Sequence, residues 1–500
     1  MQDLHQVPPP HGMPHEGKNF AVSGTYHAPD RLALTDSSLH AGSSPKTDTG
    51  SRGTLLLPPH HQTRKQSRPK ADDKRRIPVT DIRSAYTDSI NFFAAAAPAD
   101  LAGQYGSPLY VYNEAILRKR CQDLKNLCTV PGFGVNYSVK ANSNPALLRI
   151  IREEGLVVDA MSPGELHMDL LAGFTSDEIL YISNNISPAE MRNAIDHKLL
   201  VSVDSLSQLD LYGQFNPGGS VMVRFNPGIG AGHHQKVITA GKETKFGVLP
   251  EDAEAVLKLL EKHRLTLAGV NQHIGSCFME PDGFVKAAAV LLSLIDSFPS
   301  AMRDKIEVID FGGGFGIPYH KYDSEARLDL AALGKGLDEL LFSWKEKTGY
   351  SGRFLVEPGR YIVAECGLLL GTVEAVKNNG ARRYAGTDIG FNVLQRPVMY
   401  GAFHDVEIYG DKSLSRNDMA QTISGNICES GDILAKDRVL PEMHEGDLVG
   451  ILDAGAYGFS MSSSYNTRFL PAEVLLTKDN TVRLIRRRQT LDDLTAALIR

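Results

Sequence analysis

The sequence predicts an α/β chain: a (β/α)8 barrel, then a smaller mainly β domain, preceded by a disordered tail. Three observations carry this. Short apolar runs alternate regularly with helical patterns from Phe133 onward, eight such runs precede residue 375, and the helical period fades beyond that point.

Residues 1–85 are rich in Pro, His, Ser, Gly and Thr, lack a sustained apolar period, and contain a basic run from Arg64 to Arg76. Such composition cannot bury enough apolar surface to order the backbone, so a solvated extension is expected. Residues 86–130 form a lead-in whose segment Ser107–Asn113 reads as a strand able to join the β domain. The barrel is expected over 131–375, with strands at 133–139, 156–160, 179–183, 199–204, 220–226, 266–273, 306–311 and 353–357. Helix starts between them are signalled by a capping residue followed by proline: Asn144 with Pro145, Ser162 with Pro163 and Glu165, Ser187 with Pro188 and Glu190. The last two read as full capping boxes, and Gly155 supplies the left-handed residue that closes the first helix. Over 376–500, the runs around Val406–Tyr409, Leu448–Ile451 and Ala472–Leu476 read as strands between Gly and Asp turns.

A net charge of −6 and a pI near 6.3 give no overall basic field, which argues against a nucleic-acid partner and for a small molecule. Five scattered cysteines without a Cys-x-x-Cys pair suggest neither a disulfide framework nor a metal site, and point to a reducing cytoplasm. No run approaches the roughly 18 apolar residues of a membrane span, and no signal-peptide pattern opens the chain.

A barrel builds its site at the C-terminal ends of its strands, and here those ends are polar: Lys140, Asp159, Asp204, Arg224 and Asn226, His273, and Glu357. Alternation along 133–140 places Asn136, Ser138 and Lys140 on one side, aiming Lys140 at the barrel axis. After the seventh strand come Gly312, Gly313 and Gly314, where missing side chains let backbone N–H groups cradle a phosphate. Taken singly, a lysine at a strand end reaches solvent and a glycine-rich turn is tight packing. Together they describe a phosphorylated cofactor held as a Schiff base.

The motifs around these residues resemble the fold-type III, alanine-racemase-like barrel decarboxylases that use pyridoxal 5′-phosphate, and within them the diaminopimelate decarboxylases. The resemblance covers roughly residues 100–490. It rests on Tyr137-Ser138-Val139-Lys140, His273-Ile274-Gly275-Ser276, Gly312-Gly313-Gly314-Phe315-Gly316-Ile317-Pro318-Tyr319, Glu357-Pro358-Gly359-Arg360, Arg396-Pro397-Val398-Met399-Tyr400, Cys428-Glu429-Ser430-Gly431-Asp432 and Gly455-Ala456-Tyr457, in this order. It implies that Lys140 holds the cofactor, that Glu357 faces the pyridine nitrogen and keeps it protonated, and that His273 lies against the ring. Ser276, the glycine loop and Tyr457 would hold the phosphate, with Asp159, Gly359 and Arg360 completing the cofactor site. Arg360, Arg396, Tyr400, Glu429 and Tyr457 would bind substrate. Cys428 would reach the cofactor of a neighbouring subunit as the proton donor, which requires a homodimer with shared sites. The implied reaction is decarboxylation of meso-2,6-diaminopimelate to L-lysine, the last step of lysine biosynthesis.

Three positions depart from the family pattern: Cys277 stands where glutamine is usual, Ile186 where lysine is common, and Phe469-Leu470 replace a more basic stretch. They bear on the substrate side. The rival readings are a related decarboxylase of a siderophore, antibiotic or polyamine precursor, a racemase on the same barrel, and a non-catalytic cofactor-binding regulator. Glu357 speaks against the racemase, where arginine faces the ring nitrogen; retention of both Lys140 and Cys428 speaks against the regulator.

Overall fold

The computed structural model describes residues 85–228, 244–410 and 416–499, so the tail expected over 1–85 lies outside the described residues apart from Ala85. After the lead-in strand β1 (Leu109–Asn113), eight strands form a closed parallel barrel: β2 (Phe133–Tyr137), β3 (Val157–Ala160), β4 (Ile179–Ile182), β5 (Leu200–Val203), β6 (Ser220–Arg224), β7 (Thr266–Asn271), β8 (Val308–Gly313) and β9 (Arg353–Glu357). β9 pairs back onto β2 and closes the ring.

The caps act as the sequence suggests, with one change. Asn144 accepts from the Ala146 N–H at 3.0 Å, and Ser187 with Glu190 forms a reciprocal box at 3.3 and 2.8 Å. Ser162 accepts from the Glu165 N–H at 3.2 Å, but Glu165 reaches one residue further back, to the Met161 N–H at 2.8 Å, so the second expected box is only half formed. Each such cap is worth about 1 kcal/mol. The helix Pro145–Glu153 buries Leu147, Leu148, Ile150 and Ile151, each contributing about 1.5–3 kcal/mol, and ends at Gly155 with φ +82°. Packing outweighs capping there.

Inside the barrel, side-chain parity separates an apolar floor from a polar mouth. Leu180, Met222, Val308 and Leu355 form a buried cluster of their own. Two residues further along three of these strands, the same face carries Arg224, Asp310 and Glu357, because alternate residues share a face. The strand ends are therefore built to hold charge above a dry plug.

The second sheet combines β1 with β10 (Gly367–Asn379), β11 (Arg382–Thr387), β12 (Val406–Tyr409), β13 (Asp418–Ser424), β14 (Ile433–Pro441), β15 (Leu448–Ile451), β16 (Ala472–Leu476) and β17 (Val482–Arg486). β1 runs parallel to β16 and antiparallel to β10, so the lead-in does supply a strand to this sheet. The boundary expected at 375/376 falls within β10, whose pairing with β1 and β15 begins at Gly367 and Leu369. On β1, Tyr110 and Tyr112 join the main core while Leu109 and Val111 join a second core on the opposite face. All five cysteines are free thiols. Among the described residues no helix is long and apolar enough to cross a membrane, and no group of His, Cys, Asp and Glu is placed to hold a metal ion.

Candidate active site

Lys140 does not end a strand. β2 stops at Tyr137, and Val139–Ala141 form a single 3-10 turn. The strand alternation that would aim Lys140 inward therefore ends before reaching it. A carboxylate sets the direction instead: Asp159 at the end of β3 accepts from the Ser138 hydroxyl at 2.9 Å and the Val139 N–H at 3.0 Å, clamping the turn with both oxygens. The far side is tied to the β domain. Asn142 donates to the Gly455 carbonyl at 3.0 Å and the Tyr112 hydroxyl at 3.1 Å, and the Tyr457 N–H donates to the Ala141 carbonyl at 2.9 Å. Lys140 remains accessible to solvent even though protein crowds its amine. Burial alone would lower its pKa, but Asp159, Tyr457 and Glu357 together raise it above the ordinary value.

Glu357 at the end of β9 is buried beside the Asp310 carboxyl, and its Oε1 meets no N–H or hydroxyl donor among the described residues. Burial, then the neighbouring carboxylates Asp310 and Asp159, push its pKa well up; Lys140 and Arg224 act in the opposite direction. Asp310 accepts from the Gly312 N–H at 2.8 Å, and burial pushes its pKa up to about 7. The loop that follows demands glycine. A Cβ on Gly313 would lie 1.9 Å from the Glu357 carbonyl oxygen, and one on Gly314, with φ +107°, 2.4 Å from that of Gly275. The Gly313 N–H donates to His273 Nδ1 at 3.1 Å, which leaves Nε2 as the protonated nitrogen of a neutral ring. Burial, with Lys140 and Arg224 nearby, lowers the His273 pKa well below its usual value.

Two guanidiniums form the adjoining wall. Arg360 donates to the Tyr319 hydroxyl at 2.6 Å and the Ser276 hydroxyl at 2.9 Å, and lies 5.1 Å from the Tyr457 ring centre. Arg396, at the start of the short helix Arg396–Tyr400, bonds His404 Nε2 at 2.7 Å and lies 4.7 Å from the Tyr319 ring centre. Both are nearly fully buried, and neither pairs with a carboxylate among the described residues. Gly359 fits between this wall and the lysine turn: a Cβ there would meet Ala141, Ser138 and the Tyr457 hydroxyl at 3.0–3.2 Å.

The structure thus gathers Lys140, Asp159, His273, Ser276, Gly312, Gly313, Gly314, Glu357, Gly359, Arg360, Arg396 and Tyr457 around one mouth. Cys428 and Glu429 stand apart. Cys428 is exposed, with its N–H donating to Asn466 Oδ1 at 2.8 Å, and it borders a cleft of about 640 Å³ shared with Asn392, Arg468 and Phe469. Glu429 accepts from the Tyr465 hydroxyl at 2.6 Å. Among the described residues no hydrogen bond or ion pair links either to the lysine cluster. Tyr400 is half-buried at the end of its helix and makes no hydrogen bond to the arginine pair. Of the departures, Cys277 is buried with φ +65° beside the two guanidiniums, Ile186 is buried, and Phe469 lines the Cys428 cleft.

Sequence reasoning assigned no role to Asp310, Tyr319 or His404. Asp310 was detectable as a charge on the inward parity of a strand, and Tyr319 lay inside the glycine motif. His404 carried no signal, since its partners lie 8 and 48 residues away.

The residues fit a phosphorylated pyridine aldehyde. An accessible amine, a buried carboxylate oxygen that meets no N–H or hydroxyl donor among the described residues, and a glycine cradle complement its aldehyde, ring nitrogen and phosphate. Comparison with known proteins agrees. Residues 114–364 match the pyridoxal-binding domain of pyridoxal-dependent decarboxylases. The diaminopimelate decarboxylase of Methanothermobacter thermautotrophicus is 40% identical over 406 residues, covering 80% of this chain and 93% of the relative. That of Escherichia coli K12 is 34% identical over 411 residues, covering 79% and 94%. The crystal structure of the M. jannaschii diaminopimelate decarboxylase in co-complex with L-lysine superposes with a TM-score of 0.72 at 31% identity, covering 80% of this chain and 94% of that one.

Proposed function

The chain belongs to the diaminopimelate decarboxylase family of pyridoxal-dependent decarboxylases, and we propose that its two unpaired guanidiniums select the substrate while the Lys140 cluster carries the cofactor. The reaction is decarboxylation of meso-2,6-diaminopimelate to L-lysine. A meso diacid has one D and one L centre, so an L product requires that CO2 leave the D end while the L end is held.

When bound, pyridoxal 5′-phosphate supplies an electron sink for the pair released with CO2. Lys140 would offer the amine that holds its aldehyde carbon, on a turn oriented by the clamp from Asp159. Glu357 would face the protonated ring nitrogen, and that pairing would relieve the burial penalty on its carboxylate. Neutral His273 would lie against the ring without adding positive charge. Gly312 and Gly313 spend their N–H groups on Asp310 and His273, so the glycine loop would serve the phosphate by leaving space where side chains would stand, while Ser276, Arg360 and Tyr457 would hold it.

The observation that carries the substrate assignment is the pair Arg360 and Arg396, buried against neutral partners alone. A buried cation without a counter-ion is expensive, and a substrate carboxylate supplies the missing charge. Arg396 with Tyr400 holds the distal L-carboxylate, and Glu429 holds the distal amine. Cys428 and Glu429 reach the mouth of a second copy, where Cys428 returns a proton to the carbon that lost CO2. Their separation from the lysine cluster supports such a homodimer, as does the exposure of Val398 and Met399 on the helix that carries Arg396.

Purified protein given meso-diaminopimelate, L-lysine, L-ornithine and carboxynorspermidine separately should release CO2 from the first alone. Equal or faster release from lysine or ornithine would overturn the assignment.

A further inference from the structure

The least conspicuous member of the arginine wall is His404, in the loop before β12, with 2% of its surface exposed. Its Nδ1 lies 2.7 Å from the Leu452 carbonyl oxygen and its Nε2 2.7 Å from Arg396 Nη1. A carbonyl only accepts and a guanidinium only donates, so one tautomer satisfies both contacts: Nδ1–H donates to Leu452, and the Nε2 lone pair accepts from Arg396. That tautomer is neutral. An imidazolium would set an N–H against an N–H, and burial together with Arg396, Arg360 and Arg438 lowers the ring's pKa well below its usual value. The contact fixes Arg396 to the strand end preceding the loop that carries Tyr457, because Leu452 also donates its N–H to the Asp405 carbonyl at 2.9 Å.

Histidine at this position does something a carboxylate cannot. Aspartate or glutamate would also anchor the guanidinium but would cancel its charge, leaving little for an incoming anion. An apolar side chain would leave the charge but free the guanidinium to turn. We propose that His404 is a specificity-positioning residue, a neutral acceptor that orients Arg396 toward the distal carboxylate of the substrate without neutralising it. This rests on Arg396 being the carboxylate clamp.

The two hydrogen bonds of His404 can be separated by substitution. Gln places an amide oxygen near the position of Nε2 and keeps the Arg396 contact; Asn mimics Nδ1 and keeps only the Leu452 contact; Glu keeps an acceptor toward Arg396 but adds charge. KM for meso-diaminopimelate and the inhibition constant of L-lysine are measured for His404→Gln, His404→Asn and His404→Glu. Both constants are independent of how much of each variant folds. Asn and Glu should raise both about tenfold with a smaller change in kcat, because the grip exists in ground and transition states alike, and Gln should recover most of the loss. Wild-type constants in His404→Asn, or Glu matching Gln, would overturn the proposal, since a simple brace is served equally by either. An Arg396→Met variant with wild-type constants would instead remove the premise, a result distinguishable from failure of the His404 inference.

Discussion

Replacing Arg396 by methionine tests the substrate reading through two quantities that ordinarily move together and here should separate. The side chain is 3% exposed, and its fixed contacts are the 2.7 Å bond to His404 and the face of Tyr319. Losing a buried, charge-assisted bond to the distal carboxylate costs about 3 kcal/mol; at about 1.4 kcal/mol per decade, kcat/KM should fall roughly 100-fold, mostly through KM. Stability should respond differently. The substitution breaks no ion pair: it strands His404 Nε2 at about 1–2 kcal/mol and removes an uncompensated buried cation worth several kcal/mol in desolvation. The Tm of the substrate-free protein should therefore hold or rise. Steady-state CO2 release gives the first quantity and calorimetry without substrate the second. A Tm lowered by several degrees with KM unchanged would show that Arg396 braces the β domain, and the diacid argument would fail with it.

Borohydride reduction of the purified protein followed by peptide mass spectrometry should place the pyridoxyl adduct on Lys140; an adduct on another lysine would contradict the geometry of the 3-10 turn. Mixing inactive Lys140→Ala with inactive Cys428→Ala should restore activity through hybrid sites, and no recovery despite demonstrated subunit exchange would confine Cys428 to its own chain. Gly313→Ala, whose Cβ would lie 1.9 Å from the Glu357 carbonyl oxygen, should lose cofactor on dialysis and unfold at lower temperature, while unchanged cofactor retention would discount the cradle. Asp453 is buried beside Lys321 and Glu365, and burial pushes its pKa from the ordinary carboxylate range up to about 7. A group whose folded pKa is raised favours the folded state below the unfolded pKa and loses that advantage as pH climbs to the folded one. Relative to wild type, Asp453→Asn should thus gain Tm between about pH 4 and pH 7 and level off above, and a pH-independent difference would show that Asp453 ionises normally.

The barrel was legible because its information is local. Each strand is a short apolar run, three helix starts are a Ser or Asn before proline, and neither signal depends on distant residues. Strand ends were less well defined. Tyr137 to Lys140 continues the β-like composition, yet the chain leaves the ladder because the Asp159 carboxylate, from the next strand, takes the Val139 N–H and the Ser138 hydroxyl. The start of β10 was obscured for a similar reason. The period-2 pattern of β10 is masked at its start by the apolar run Leu368–Leu370, which is fully buried between β1 and β15 and so does not alternate.

The site divides along the same line. Lys140, Glu357, His273 and the glycine loop carry chemistry in their residue types, so a strand-end reading reaches them. What turns them into a specific site is carried by neutral groups whose types are uninformative: Tyr319, Ser276 and His404 could each be ordinary core residues in a linear reading. Their importance lies in what they lack. Had any of them been a carboxylate, Arg360 or Arg396 would form a closed ion pair, and the wall would hold the β domain together without asking for an anion. Neutral partners orient the guanidiniums and leave their charge unspent. A sequence search for a carboxylate-binding site looks for arginines, whereas the deciding feature is an acceptor without charge. For His404 that feature arises only when the loop before β12, the helix at Arg396 and the end of β15 meet.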